Sequence, residues 1–293
     1  MTQLPRALVA ELTEEGLDAR EVLAHVSRAL AEDCPSEDVT SVATIPADAV
    51  ATADLVARAD GVVAGLAVAE VVFRLVVGDA VRVERHRADG DRVARGDVLL
   101  TATGPTRLLL TAERTALNYL CHLSGVATAT ARWVGAVGGT RARIRDTRKT
   151  TPGFRLLEKY AVRCGGGTNH RTSLSDQALV KDNHVLAAGG VVAAFHAVSA
   201  TYPGLPVQVE VTTLDQLREL LAVGADEILL DNMDTATMAE AVRVTAGRAR
   251  LEASGGLTLD RAREVAATGV DYLAIGALTH SAPVLDVAMD LRP

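Results

Sequence analysis

The stretch EILLDNMDTATMAEAVRVTAGRARLEAS, residues 227–254, holds the repeating unit of this chain. Two short apolar runs, EILLDN (227–232) and RLEAS (250–254), flank an amphipathic segment that starts after Asp234, a residue type suited to a helix N-cap. Each run ends in polar residues. The same pattern recurs in ARIRDT (142–147), ALVKDN (178–183), PVQVEV (206–211) and DYLAIGA (271–277). Thr258, before LDRAREVAATG, reads as another N-cap, with Gly269 as the helix stop. Repeated strand–helix units imply a parallel sheet. Six units with helices of this length suit a (β/α) barrel or a partial one, whose active site lies at the C-terminal ends of the strands. An open doubly wound sheet shows the same alternation and stays open as the alternative.

Upstream the rhythm differs. Residues 5–34 carry helical spacing, and Thr40–Ala59 reads as extended segments with turns. ADGVVAGLAVAEVVFRLV (59–76) looks like a strand or turn entering a helix. Residues 79–104 alternate as strands broken by Asp89-Gly90 and Arg95-Gly96-Asp97. Thr111 is a plausible N-cap for a long helix through Leu117, Leu120 and Leu123. The expected organisation is a small mixed α/β unit over 1–115 and the barrel over 116–280.

Hydrophobic residues make up 48% of the 293, enough to fill a sizeable core. The longest apolar runs are broken by charges such as Glu70 and Arg74, so no membrane span is expected. The first thirty residues mix acids with apolar residues and lack a secretory pattern, and Cys34, Cys121 and Cys164 lack disulfide-like or zinc-like spacing. A cytoplasmic protein with reduced thiols is the expectation. The net charge of −7 counts against nonspecific nucleic-acid binding. Its distribution says more. Residues 141–171 hold nine Lys/Arg against two Asp/Glu, a local +7 that leaves −14 for the other 262 residues. Like charges about 5 Å apart repel by roughly 3 kcal/mol at an effective dielectric near 20, so converging cations imply bound anions or nearby acids. Only Lys149, Lys159 and Lys181 are lysines among the thirty basic residues, so each is a candidate for a role that arginine does not fill.

On the barrel reading, one rim collects Arg148, Lys149, Lys181 to His184, Glu210, Asp231, Ser254 to Gly256, and Gly276-Ala277. That is an anion site beside two carboxylates. Glu210 and Asp231 offer oxygen acceptors for Mg²⁺ or sugar hydroxyls. CGGGTNHR (164–171) either stops a helix or brings backbone close to a ligand, with Asn169, His170 and Arg171 as donors. Arg155, Lys159 and Arg163, four apart with Glu158 adjacent, read as a solvated helical stripe. His184 reads as a hydrogen-bonded structural histidine. EASGGL (252–257) and AIGALTHS (274–281) end the last two strands, where barrels often hold phosphate on backbone N–H groups.

With these motifs placed, the chain resembles the quinolinate phosphoribosyltransferase family of type II phosphoribosyltransferases. The resemblance spans nearly the whole chain, through ERTALNYLCHLSGVATAT (113–130), RDTRKTTPGFRLLEKYAVRCGGGTNHR (145–171), LVKDNH (179–184), VEV (209–211), LLDN (229–232), EASGGL (252–257) and VDYLAIGALTHS (270–281). The first hundred residues match more loosely. The resemblance implies a sandwich domain, an open barrel, and a C-terminal tail, about 281–293, that packs back on the first domain. It also implies Mg²⁺-assisted transfer of phosphoribose from 5-phosphoribosyl 1-diphosphate (PRPP) to quinolinate, yielding nicotinate mononucleotide, diphosphate and CO₂ for NAD biosynthesis. Carried over residue by residue, Thr147, Arg148, His170, Arg171 and Lys181 would line the quinolinate pocket, with Lys149 between quinolinate and diphosphate. Arg114 would reach in from the second subunit of a homodimer. Glu210 and Asp231 would bind ribose hydroxyls and Mg²⁺, directly or through water. Ser254, Gly255, Gly256, Ile275, Gly276 and Ala277 would hold the 5-phosphate. Lys149, Lys181, Glu210 and Asp231 are the expected catalytic set. Rival readings are the same fold with another acceptor, a phosphosugar lyase using Lys181 as a Schiff base, and a noncatalytic binding protein.

Overall fold

The computed structural model describes residues 4–292. The chain begins with helices α1 (Arg6–Glu14), α2 (Ala19–Asp33) and α3 (Val39–Thr44). Asp18 caps α2 by accepting from the Arg20 amide at 2.8 Å. Asp38 caps α3 in the same way, accepting from the Ser41 amide at 3.0 Å. That cap explains why the segment after Thr40, expected to be extended, opens with a short helix. There follow β1 (Val50–Ala57), β2 (Gly61–Val62), α4 (Leu66–Val77), β3 (Arg82–Arg85), β4 (Arg92–Val93), β5 (Val98–Pro105) and α5 (Thr106–Ala136). The long helix therefore starts five residues before Thr111. Thr111 lies inside it, where its hydroxyl donates to the Arg107 carbonyl at 2.9 Å instead of capping an end.

Beyond α5 come β6 (Arg143–Arg145), α6 (Arg155–Cys164), β7 (Ala178–Val180), α7 (Asp182–Ala188), α8 (Val191–Thr201), β8 (Val207–Val211) and α9 (Leu214–Ala222). The remainder is β9 (Glu227–Asp231), α10 (Thr235–Thr245), β10 (Arg250–Ser254), α11 (Ala262–Ala267), β11 (Tyr272–Ala274), α12 (Ala277–His280) and β12 (Val287–Arg292). Asp234 caps α10 as expected, accepting from the Thr237 amide at 2.7 Å. Thr258 makes no such bond, because a 3-10 turn over Leu259–Arg261 precedes α11.

Two compact units divide the chain, one of residues 1–129, 152–166 and 281–293, the other of 130–151 and 167–280. The expected boundary at 115 falls inside α5, since one continuous helix carries the chain from β5 past residue 129. In the first unit, β12-β1-β5-β3 form an antiparallel sheet. Its core includes Phe73 of α4, Leu99 and Leu100 of β5, and Leu120 and Leu123 of α5, all fully buried. The last strand, β12, pairs with β1 and so ties the C-terminal residues into this unit. Burial alone would push the Asp54 carboxyl up, but bonds from Arg292 and Thr101 hold it below its ordinary range. Helix α6 also belongs here. Its basic stripe is solvated only in part: Arg163 is exposed, but Lys159 and the adjacent Glu158 are buried, and Glu158 meets His122 Nε2 at 2.9 Å.

The second unit is a six-stranded parallel sheet in the order β6-β11-β10-β9-β8-β7. Read around, this is the chain order with the first strand set beside the last. A barrel has that order, whereas a doubly wound sheet reverses direction at a switch point. The sheet does not close between β6 and β7. Thr168 forms a single parallel bridge to Arg145 on the free side of β6, donating its amide to the Ile144 carbonyl at 2.8 Å. Strand β8 is buried on both faces except at Glu210, and β9 except at its last residue, Asp231, as parallel strands covered by helices should be.

Candidate active site

Strand alternation builds the site. Because side chains along a strand point to opposite faces with period two, Leu229 and Asp231 of β9 share a face, as do Glu252 and Ser254 of β10. The register pairs Ser254 with Asp231 and Glu252 with Leu229. These residues line a cavity of about 560 Å³ at the C-terminal ends of the strands. Thr147, Arg148, Lys149, His170, Arg171, Leu179, Lys181, Asp182, Glu210, Asn232, Gly255 and Ala274 complete its wall. Its size suits a small organic molecule with its charged groups, and its lining is mostly polar.

Of the residues expected at a site, Thr147, Arg148, Lys149, His170, Arg171, Lys181, Glu210, Asp231, Ser254 and Gly255 come together here. Gly256, Ile275, Gly276 and Ala277 are not in the wall, and neither is Arg114, which is exposed on α5. Gly276 nevertheless shapes it. A Cβ there would stand 3.1 Å from Lys149 Cδ, so its bare backbone leaves room for that side chain. Gly255 is more constrained, with a φ of +92° and a built Cβ only 2.2 Å from Asn232 Oδ1. Asn232, itself left-handed at φ 52°, donates its amide to the Ser254 carbonyl at 2.9 Å and its side chain to Asp231 at 2.8 Å.

His184 and Asn169 do structural work. His184 Nδ1 accepts from the Lys181 amide at 3.0 Å, and the Asn169 side chain donates to the buried Asp146 at 2.6 Å. Asn169 is thus turned inward and is not the ligand donor that its position suggested. The Arg171 guanidinium donates to the Gln177 carbonyl at 3.0 Å, and both burial and the neighbouring Arg148 charge disfavour its charged form. An anion placed between these two arginines would relieve that repulsion. On the opposite side, Lys181 Nζ lies 3.7 Å from Glu210. The pair does not dominate: burial pushes the Glu210 carboxyl above its ordinary range, Lys181 opposes this, and Asp231 and Asp182 add to it.

Glu252 escaped the sequence reading. It is 1% exposed at the cavity floor, pairs with Arg145 at 2.8 Å, and follows from period two, since it stands two residues before Ser254 in β10. Arg145 is structural: it joins Glu252 and lies 4.4 Å over the Tyr272 ring.

An open parallel barrel whose cavity gathers cations and carboxylates at its strand ends suits an enzyme that handles polyanionic small molecules. The sequence matches Quinolinate phosphoribosyl transferase, N-terminal domain, over residues 38–124 and Quinolinate phosphoribosyl transferase, C-terminal domain, over 126–290. The chain belongs to the quinolinate phosphoribosyl transferase family. It is 52% identical over 271 residues to the nicotinate-nucleotide pyrophosphorylase (carboxylating) of Mycobacterium leprae, covering 91% of this chain and 95% of that one. A probable carboxylating nicotinate-nucleotide pyrophosphorylase of Bacillus subtilis is 41% identical over 261 residues, 89% of this chain and 90% of that one. The structure of NadC from Streptococcus pyogenes superposes with a TM-score of 0.88 at 41% identity, covering 99% of this chain and 98% of that one.

Proposed function

We propose that the chain transfers phosphoribose from PRPP to quinolinate with decarboxylation, giving nicotinate mononucleotide, diphosphate and CO₂ in NAD biosynthesis. Family membership supports this reaction. The observation that carries it to this site is the gathering of Arg148, Lys149, Arg171 and Lys181 with Glu210 and Asp231 in one cavity.

Arg148 and Arg171 present planar forks suited to the two carboxylates of quinolinate, a geometry an ammonium does not reproduce. Lys149 then stands between quinolinate and diphosphate, and Lys181 completes the cationic wall. Backbone N–H groups of Ser254, Gly255 and Gly256, with those of Ile275, Gly276 and Ala277, hold the 5-phosphate. Glu210 and Asp231 hold the ribose hydroxyls and favour the positive charge that develops at C1 as the bond to diphosphate breaks. The pyridine nitrogen supplies the electron pair for the new bond to C1. Ribosylation makes the ring cationic, so it accepts the electrons released when the neighbouring carboxylate departs as CO₂, and a proton takes that carboxylate's place.

The two carboxylates also fit Mg²⁺. Among the described residues no group of three or more His, Cys, Asp and Glu side chains could hold a metal. Mg²⁺ commonly takes only one or two protein carboxylates and fills its shell with water and substrate phosphates, so Glu210 and Asp231 are sufficient. When bound, the ion neutralises the leaving diphosphate. In this reading the working unit is a homodimer in which Arg114 reaches the site of the partner subunit. No single helix among the described residues is long and apolar enough to cross a membrane. The free thiols of Cys34, Cys121 and Cys164 suit a cytoplasmic location.

The test is formation of nicotinate mononucleotide from PRPP and quinolinate, with nicotinate as control acceptor. Nicotinate lacks the second carboxylate, so the site should discriminate strongly against it. Equal use of both acceptors, or borohydride trapping of a sugar phosphate on Lys181, would contradict the assignment.

A further inference from the structure

We propose that Glu252 is a positioning residue of the quinolinate site, fixing the His170–Arg171 segment through Arg145, with its second oxygen lying beside the His170 ring. This inference rests on the functional reading above and names a residue that reading does not use.

The carboxylate is 1% exposed, with Leu251 and Ala253 buried on either side of it in β10. Burying a charge in such a strand is costly, and an apolar residue of similar volume serves folding as well or better. Its retained charge therefore calls for a task. Oε2 pairs with Arg145 at 2.8 Å, and the Arg145 Nε donates to the Asn169 carbonyl at 3.4 Å. Oε1 has no hydrogen-bond partner and stands 3.5 Å from His170 Nε2. A buried acceptor left in this state is a reservoir of unsatisfied free energy at the cavity floor.

The histidine ring connects this acid to the ligand side. The Arg171 amide donates to His170 Nδ1 at 2.7 Å, so Nδ1 carries no proton and Nε2 carries the ring N–H. That N–H donates to Gln208 Oε1 at 2.8 Å. Both ring nitrogens are thus committed within the protein, and His170 in this state holds the backbone of Arg171 instead of offering a nitrogen to quinolinate. Asp146 fastens the same segment from behind, accepting from the His170 amide at 2.8 Å and the Asn169 side chain at 2.6 Å. Glu252, Arg145, Gln208 and Asp146 form a rigid polar base, and Arg171 projects from its end. By contrast, Glu252 makes no ion pair or hydrogen bond with Glu210, Asp231 or Gly255, the groups assigned to PRPP.

Steady-state kinetics of Glu252→Gln, alone and combined with Arg171→Lys, test this. The amide keeps the shape and removes the charge. The expected result is a rise of about tenfold or more in KM for quinolinate, with KM for PRPP within about threefold of wild type. In the double variant the two losses should not add, because both act through the placement of one guanidinium. An unchanged quinolinate KM, parallel rises in both KM values, or full additivity would overturn the proposal. Nitrogen NMR of histidine-labelled wild-type enzyme decides the matter even where the variant does not fold. His170 should appear as the Nε2–H tautomer, and an Nδ1–H tautomer would also overturn it. A wild-type enzyme that forms no product from quinolinate would instead remove the functional reading itself, whereas an active Glu252→Gln enzyme with normal quinolinate KM removes Glu252 alone.

Discussion

Arg171 shows how a single side chain acquires a role. Its charge is disfavoured by burial and by Arg148, and its backbone amide is pinned to the His170 ring. The position therefore asks for a guanidinium held at one angle, and Arg171→Lys, though it keeps the charge, should lose at least about tenfold in kcat/KM for quinolinate, roughly 1.4 kcal/mol. Initial rates at saturating PRPP measure this, and near-normal kcat/KM would remove Arg171 from the site. Lys181, Glu210 and Asp231 could be singled out in the sequence because each is a charged residue at or near the end of an apolar run, and Arg171 because it closes the glycine-rich run CGGGTNHR. Glu252 was harder to see. It lies inside such a run, where only strict alternation from Ser254 shows that it faces the cavity. The inward turn of Asn169 was not legible, because Asp146, its partner, is 23 residues away in sequence.

At the scale of elements, local signals and long-range contacts part company. Asp234 caps α10 because its partner lies three residues away. Thr111 carries the same kind of signal, yet it sits inside α5, since the helix begins at Thr106, directly after β5. Strand β12 illustrates a contact that no local rule contains: Arg292 reaches Asp54, 238 residues earlier. Because bonds from Arg292 and Thr101 outweigh burial and depress the Asp54 carboxyl in the folded state, their stabilisation is present above the ordinary value of 3.8 and is lost as pH falls through the depressed folded value. Asp54→Asn should accordingly lower Tm at neutral pH, and the difference from wild type should shrink as pH drops below that range. Melting curves of both proteins across this interval check the sign. A difference that grew on acidification would show that the pair does not anchor the strand.

For the whole molecule, the order β6-β11-β10-β9-β8-β7 separates an open barrel from a doubly wound sheet, which the alternation of segments left equivalent. The same scale governs Arg114, which is exposed on α5 and lies outside the cavity wall. If it acts across a two-fold dimer, Arg114→Ala and Arg148→Ala should each be nearly inactive. Mixing and reassociating the two should then restore roughly a quarter of wild-type activity, because half the dimers are mixed and each has one intact site. Activity that stays at the level of the separate variants would argue against a shared site. Strand and helix identities, the basic segment 141–171 and the polar strand ends were set by the sequence itself, since they follow from short-range periodicity and charge. Only the tertiary structure decided the strand order, the attachment of β12 and α6 to the first unit, and the buried base of Glu252, Arg145 and His170. These depend on pairings between residues far apart in the chain, whose energies exist only once the fold has brought them together.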